Sequence, residues 1–144
     1  MLSYRHYFHA GNFADTLKHS VYGLLLRALQ RKTSPIFVLD THAGAGMYDL
    51  LDPMAAKGKE YDQGIAKLLV QSNPPAGMQL YLDAVRSLNP NPAQLRYYPG
   101  SPRIARHLLR PQDHLALCEL HTTDIKLLAT EFAADPTVSV HHTD

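Results

Sequence analysis

A short apolar run opens into a glycine-rich turn at Ile36-Phe37-Val38-Leu39-Asp40-Thr41-His42-Ala43-Gly44-Ala45-Gly46. The run is rich in β-branched and aromatic residues and ends in a carboxylate, so we expect a parallel strand that is buried on both faces. Glycines after such a strand let the backbone approach a ligand closely, at a point where a side chain would clash. The pattern predicts an α/β protein whose ligand lies at the end of this strand.

An amphipathic helix is predicted before this strand, over residues 12–32, because apolar residues recur there at intervals of three and four. Its apolar face would comprise Phe13, Leu17, Val21, Leu24, Leu25 and Ala28. Asn12 is placed to cap the first turn, and Ser34-Pro35 ends the helical pattern.

Two more apolar runs, at 115–120 and from 138 to 142, predict two further strands. A helix capped by Ser101 and another capped by Thr122 or Thr123, reaching about Ala134, precede them. The order helix, strand, helix, strand, helix, strand is the first half of a doubly wound α/β sheet. Its connections bring the carboxyl ends of the strands to one edge, where ligands bind.

The segment 47–98 has a different character, because proline-containing turns there separate two short helical stretches at roughly 65–70 and 78–88. Asp40 and Glu119 are 119−40 = 79 residues apart, whereas about 20 residues is usual between a glycine-rich turn and the next acid. We therefore divide the chain into three parts. Residues 1–46 form the first helix, strand and turn, 47–98 an inserted helical subdomain that overhangs the ligand edge, and 99–144 the continuation of the α/β domain.

The composition excludes several classes of protein. The 144 residues include 45% hydrophobic and 19% charged residues, which favours a folded core over disorder. The net charge of +1 argues against a histone-like nucleic-acid binder. A single Cys118 and the lack of a secretory signal predict a cytoplasmic protein, and no apolar run approaches the roughly 20 residues that a membrane span needs.

A carboxylate follows each of the three predicted strands: Asp40, Glu119 and Asp144. Glu119 suits the two ribose hydroxyls of an adenosine, and Asp144 suits its exocyclic amine. Gly44 and Gly46 are followed by no third glycine and no immediate helix, which disfavours a dinucleotide. Asp40 would repel a pyrophosphate but suits the cationic sulfonium and ammonium of S-adenosylmethionine. S-adenosylmethionine is therefore the predicted cofactor, and a nucleotide-dependent oxidoreductase is the alternative.

Several motifs agree in order and spacing with one known family. They are Met1-Leu-Ser-Tyr-Arg-His6, His9-Ala-Gly-Asn12, Leu17-Lys-His19, the turn from Asp40 to Gly46, Leu95-Arg-Tyr-Tyr-Pro-Gly-Ser-Pro102 and Glu119-Leu-His121. Over the whole chain they resemble the bacterial ribosomal large-subunit RNA methyltransferase J family. The resemblance implies a Rossmann-like fold and S-adenosylmethionine-dependent methylation of the N6 amine of an adenine in 23S ribosomal RNA.

The same resemblance assigns roles to individual residues. It places Lys18, His19, His42, Ser101, Glu119 and Asp144 around the cofactor, and Tyr4 next to the target adenine. The residue types agree, since Ser101, Lys18 and His19 offer donors to a carboxylate and Tyr4 can stack on an extruded base. No metal is expected, because the histidines lack the paired spacing and cysteine partners of a zinc site.

One family element, Asp/Asn-Pro-Pro-Tyr, does not occur in this sequence. Pro74-Pro75 follows Asn73 but precedes Ala76 and lies within the insertion. We therefore expect the N-terminal half of a family chain, inactive alone, and the alternative is a catalytically incomplete module that binds cofactor or RNA. The first strand would then have an unpaired apolar edge, which predicts a homodimer or aggregation through that edge.

Overall fold

The strands and helices follow the predicted order in a computed structural model that describes residues 5–91 and 94–143. The strands are β1 (Phe37–Asp40), β2 (Met47–Asp49), β3 (Tyr97–Pro99), β4 (His114–Cys118) and β5 (Val138–His141). The helices are α1 (Phe13–Leu29), α2 (Pro53–Gly58), α3 (Ile65–Leu69), α4 (Gln79–Leu88), α5 (Ser101–Leu108) and α6 (Asp124–Phe132). Short 3-10 helices occupy His6–Phe8, Glu60–Gln63 and Ala76–Met78.

The main sheet is parallel and has the order β1-β4-β5. Val38 lies opposite Leu115, which in turn lies opposite Val138. Helix α5 precedes β4 and helix α6 connects β4 to β5, so each strand is reached through a helical crossover. The prediction of a Rossmann-like α/β sheet is confirmed.

The two faces of β1 differ, contrary to the prediction that both are buried. Val38 packs with Leu115 and Leu128 in an apolar cluster under α5 and α6. Phe37 and Leu39 point to the other face and are 68% and 56% exposed. The prediction was wrong for that face because α5 and α6 both contribute side chains to the cluster on the Val38 side.

Helix α1 has the predicted N-cap, but its apolar face is exposed and its opposite face is buried. The backbone N–H of Asp15 donates to Asn12 Oδ1 at 2.9 Å. Phe13 and Leu17, on the predicted apolar face, are 75% and 63% exposed. The buried residues are Asp15, Thr16, His19, Ser20, Gly23 and Leu26. The apolar pattern predicted the helix correctly, and packing against α4 and α5 buries its other face, which has small and polar residues.

The segment 47–98 contains the two predicted helices as α3 and α4. It also contains helix α2 and an antiparallel pair, β2 and β3, that the sequence analysis missed. Tyr48 lies opposite Tyr98 in this pair, and both side chains are buried in an apolar cluster with Ile104 of α5. The segment therefore shares its core with the flanking parts of the chain.

Of the predicted helix caps, Thr123 occupies the N-cap position of α6, whereas Ser101 does not cap α5. Gly100 is the N-cap of α5 and Ser101 is its first residue, and Ser101 donates its hydroxyl elsewhere. Thr123 is the N-cap of α6, but its side chain makes no capping hydrogen bond, and Thr122 lies outside the cap position. The prediction that serine or threonine hydroxyls cap these helices was wrong.

Candidate functional site

A cavity of about 510 Å³ lies at the carboxyl ends of β1 and β4. Predicted site residues that line it are Lys18, His19, His42, Gly44, Ser101 and Glu119. Lining residues that the sequence analysis missed include His6, Tyr48, His121 and Asp124. The topology therefore brings together residues that are far apart in sequence, as expected for the ligand edge of a parallel sheet.

Glu119 directly follows β4 and holds the glycine-rich turn in place. Its Oε2 accepts a hydrogen bond from the Gly44 N–H at 2.8 Å, and its Oε1 accepts one from the His121 N–H at 2.6 Å. The Ala43 N–H also donates to the carbonyl of Cys118 at 3.0 Å. Each carboxylate oxygen has a further lone pair, so Glu119 can accept hydroxyl donors from a ligand while it stabilises the turn.

Two glycines of this turn are required by the fold itself. Gly44 has a φ of 63°, and a Cβ built there would collide with the Tyr48 hydroxyl. Gly46 has a φ of 79° and packs against Leu128 and Phe132, away from the cavity. The positive φ values and close packing inside the protein thus account for both glycines. Close approach of a ligand to this turn stays a prediction.

Asp40, at the end of β1, hydrogen-bonds to the start of α5. Ser101 Oγ donates to Asp40 Oδ2 at 2.6 Å, and the His42 N–H donates to Oδ1 at 3.1 Å. Asp40 lines a neighbouring groove rather than the 510 Å³ cavity, whereas Ser101 lines both. That groove also contains Leu25 and Leu39, so the Asp40 carboxylate lies near apolar side chains beside the cavity.

Asp15 is a buried carboxylate that holds two cavity residues. Its Oδ2 contacts His6 Nε2 at 2.8 Å and its Oδ1 contacts Lys18 Nζ at 2.8 Å. The Gly11 N–H adds a third hydrogen bond at 3.0 Å. Burial alone would raise the pKa of Asp15, but the hydrogen bonds and charges of His6 and Lys18 hold it well below its usual range. Asp15 is therefore ionised and fixes both basic groups at the cavity wall.

His19 is almost completely buried, with 1% of its surface exposed. Its Nδ1 lies 2.8 Å from the hydroxyl of Tyr98, whereas its buried Nε2 has no hydrogen-bond partner. Burial lowers the pKa of His19 to about 3, so the imidazole is neutral at physiological pH. A neutral ring nitrogen without a partner at a cavity wall is a candidate contact for a polar ligand atom.

The N-terminal segment is held against the cavity by carboxylates of other elements. Arg5 Nη2 lies 3.2 Å from Oδ1 of Asp124, the first residue of α6. His9 and Asn12 both contact Glu60, at 3.0 and 2.9 Å. The proposed base contact Tyr4 and the third strand-end acid Asp144 lie outside the described residues.

Within residues 5–91 and 94–143, no three His, Cys, Asp or Glu side chains converge into a group that could hold a metal ion. Over the same residues, no helix has both the length and the apolar character needed to cross a bilayer. Cys118 is a free thiol at the end of β4.

Comparisons with known proteins agree with this architecture. A family described as "Ribosomal RNA large subunit methyltransferase D, RlmJ" matches residues 33–144. The chain belongs to this family. It is 51% identical over 144 residues to the "Ribosomal RNA large subunit methyltransferase J" of Escherichia coli strain K12, covering all of this chain and 51% of that protein. The Haemophilus influenzae protein of the same name is 46% identical over 140 residues, covering 97% of this chain and 50% of that protein.

A solved structure of a Legionella pneumophila protein is also similar. It superposes with a TM-score of 0.85 at 42% sequence identity, covering 94% of this chain and 49% of that chain. The chain thus spans about half the length of the family relatives it matches, and the resemblance to the methyltransferase J family that its motifs predict is confirmed.

Proposed function

We propose that these residues form the cofactor-binding half of an S-adenosylmethionine-dependent enzyme that methylates the N6 amine of an adenine in 23S ribosomal RNA. The observation that carries the proposal is the cavity at the ends of β1 and β4, where Glu119 and the glycine-rich turn meet donors from α1 and α5. The names of the E. coli and H. influenzae relatives support a methyltransferase acting on large-subunit ribosomal RNA.

The donors and acceptors of the cavity fit S-adenosylmethionine. Glu119 has free lone pairs for the two ribose hydroxyls, and Asp144 would accept from the adenine amine. Lys18 and Ser101 offer a charge and a hydroxyl to the carboxylate of the amino-acid end. The unpartnered Nε2 of His19, already buried at the cavity wall, supports the presence of a polar ligand there.

In the proposed reaction, S-adenosylmethionine would supply an electrophilic methyl group on a cationic sulfonium. Asp40 contributes a negative charge at the end of β1 that favours this cation. Tyr4 would stack on the extruded adenine and orient its amine toward the methyl carbon. His42, in the turn itself, lines the same cavity and would lie beside the cofactor. The reaction needs no metal ion in this scheme.

Methyl transfer also needs hydrogen-bond acceptors for the hydrogens of the target amine. By resemblance to amino-group methyltransferases, these acceptors would come from an Asp/Asn-Pro-Pro-Tyr element. Because this sequence contains no such element, we propose that the 144-residue chain binds the cofactor but does not methylate RNA alone. A cytoplasmic location follows from the proposed substrate.

The test combines calorimetry with a transfer assay. S-adenosylhomocysteine should bind the chain, and NADH should not. With isotope-labelled S-adenosylmethionine and transcribed 23S ribosomal RNA, the E. coli relative should incorporate label and this chain should not. Binding of NADH instead would favour an oxidoreductase. Binding of RNA without either cofactor would favour an RNA-binding module, and label incorporation by the chain alone would refute the proposed inactivity.

A further inference from the structure

Three buried rings form a connected chain that ends at the cavity wall. Tyr81 Oη lies 3.2 Å from Tyr98 Oη, and Tyr98 Oη lies 2.8 Å from His19 Nδ1. The imidazole and the Tyr98 ring are stacked at 5.9 Å with an interplanar angle of 28°. Tyr81 and Tyr98 are both fully buried. The position of the His19 ring is therefore set by contacts on its Nδ1 side, and Nε2 is the nitrogen of this cavity-lining residue that has no partner.

The direction of these hydrogen bonds follows from acid and base strength. Burial raises the pKa of Tyr81 to about 12 and holds the pKa of Tyr98 well above its usual range, so both hydroxyls are protonated at neutral pH. An imidazole nitrogen is a stronger base than a phenol oxygen, so the Tyr98 hydroxyl donates to Nδ1 of His19 and accepts from Tyr81. A neutral imidazole whose Nδ1 is an acceptor carries its proton on Nε2.

We propose that Tyr98 is a positioning residue that holds His19 as the Nε2–H tautomer, so that His19 donates a hydrogen bond to the carboxylate at the amino-acid end of the cofactor. The Nε2–H has no acceptor within the described residues, so a ligand acceptor would satisfy a buried donor. Lys18 and Ser101 line the same cavity and also suit a carboxylate. This inference rests on the proposed function, because it names the part of the cofactor that His19 contacts.

The tautomer can be measured in the ligand-free chain, independently of any cofactor. Nitrogen-15 NMR of the His19 ring should show a protonated Nε2 and an unprotonated Nδ1. In Tyr98→Phe the preference should be lost and both nitrogens should shift toward averaged values. Tyr81→Phe is the matched control, because it removes the same hydroxyl one ring further away and should leave the His19 signals unchanged. A protonated Nδ1 in the unmodified chain would overturn the proposal.

Affinity for two probes tests the ligand contact. S-adenosylhomocysteine has the amino-acid end, whereas methylthioadenosine lacks it. Tyr98→Phe should weaken binding of S-adenosylhomocysteine about tenfold and leave methylthioadenosine within about twofold. Equal losses for both probes, or unchanged affinity for S-adenosylhomocysteine, would overturn the assigned contact. If the unmodified chain binds neither probe, the proposed function fails, and the NMR result still decides how Tyr98 acts on His19.

Discussion

Ser101 Oγ donates a hydrogen bond to Asp40 Oδ2 at 2.6 Å, which joins the first residue of α5 to the last residue of β1. The Asp40 carboxylate also accepts from the backbone N–H of His42. These two contacts fix a negative charge where the cavity meets the neighbouring groove. The charge can therefore distinguish a cationic ligand from a neutral one of the same shape.

Asp40→Asn should weaken binding of S-adenosylmethionine more than binding of S-adenosylhomocysteine, because only the former has a sulfonium charge. We expect about a tenfold loss for the cationic ligand and less than about threefold for the neutral one. Isothermal titration calorimetry of both ligands measures the ratio. Ser101→Ala keeps the charge of Asp40 and should leave the ratio nearly unchanged. An equal loss for both ligands in Asp40→Asn would contradict the electrostatic role.

Glu119→Gln should lower affinity for S-adenosylhomocysteine about ten- to a hundredfold, since hydrogen bonds to a charged acceptor contribute roughly 1.5–3 kcal/mol each. The amide oxygen can still accept the Gly44 N–H, but the amide nitrogen cannot accept the His121 N–H, so the urea midpoint of the variant is measured as well to check that the fold is retained. Calorimetry again provides the affinity. Glu131→Gln, which removes the ion pair with Arg103 outside the cavity, is the control. Unchanged affinity in Glu119→Gln would remove Glu119 from the proposed site.

Gly44→Ala should destabilise the chain by about 1–3 kcal/mol, because alanine is disfavoured at a positive φ and its Cβ would meet the Tyr48 hydroxyl. Urea denaturation measures the change. Adding Tyr48→Phe should recover part of the loss, since it removes the collision but not the backbone strain. Gly77→Ala is the control, because a Cβ there meets only Leu24 Cδ1 at 3.5 Å. Equal stability of Gly44→Ala and Gly77→Ala would be inconsistent with this structure of the turn.

Asp113 should make stability depend on acid pH. The Arg110 guanidinium, at 2.9 Å, and the N–H of Ile36 hold the pKa of this buried carboxyl well below its usual range. A lowered folded-state pKa stabilises the fold at neutral pH, and this contribution is lost as pH falls from about 4 toward the folded-state pKa.

Asp113→Asn should therefore cost about 2–4 kcal/mol at pH 7 and progressively less as the pH approaches 2. Urea midpoints measured at several pH values give this dependence. Asp83→Asn removes an exposed ion pair with Arg86 and should change stability little at any pH. A cost of Asp113→Asn that stays constant from pH 7 to pH 2 would show that Arg110 and Ile36 do not lower the folded-state pKa of this carboxyl.

The β1 edge should promote self-association, because Phe37 and Leu39 are exposed beside a backbone edge that pairs with no other strand of the described residues. Light scattering at micromolar concentration should report a dimer or larger species. Leu39→Lys should shift the population toward monomer, whereas Val70→Lys, at a residue 84% exposed elsewhere, should not. A stable monomer in the unmodified chain would refute this prediction.

Local signals predicted much of the fold correctly. The apolar run before Asp40, the cap at Asn12 and the position of Glu119 after a strand all depend on residues near each other in sequence. The acids after β1 and β4 could be assigned to one edge because parallel connections leave little choice of geometry.

Long-range packing explains what the sequence did not predict. The 3.6-residue pattern of α1 locates an apolar face but gives no information about which neighbour that face meets, so the exposure of Phe13 could not be inferred. Strands β2 and β3 have three residues each and carry almost no periodic signal. The contact of His19 with Tyr98 spans 79 residues and depends on that pairing. The adjacent tyrosines Tyr97 and Tyr98, before Pro99, were the available hint of a buried hydroxyl.

The Gly100 N–H donates to the carbonyl of Gly46 at 2.9 Å, although 100−46 = 54 residues separate them along the chain. This hydrogen bond holds the start of α5 next to the glycine-rich turn, although residues 47–99 lie between them in sequence. Since doubling the length of a closed loop costs only about 0.6 kcal/mol, exposed loops of the intervening segment can change in length at little cost, provided that Tyr48 and Tyr98 keep their buried positions. Insertions and deletions are therefore expected in loops such as the exposed stretch 71–73, and not in the strand pair β2–β3 beside the cavity.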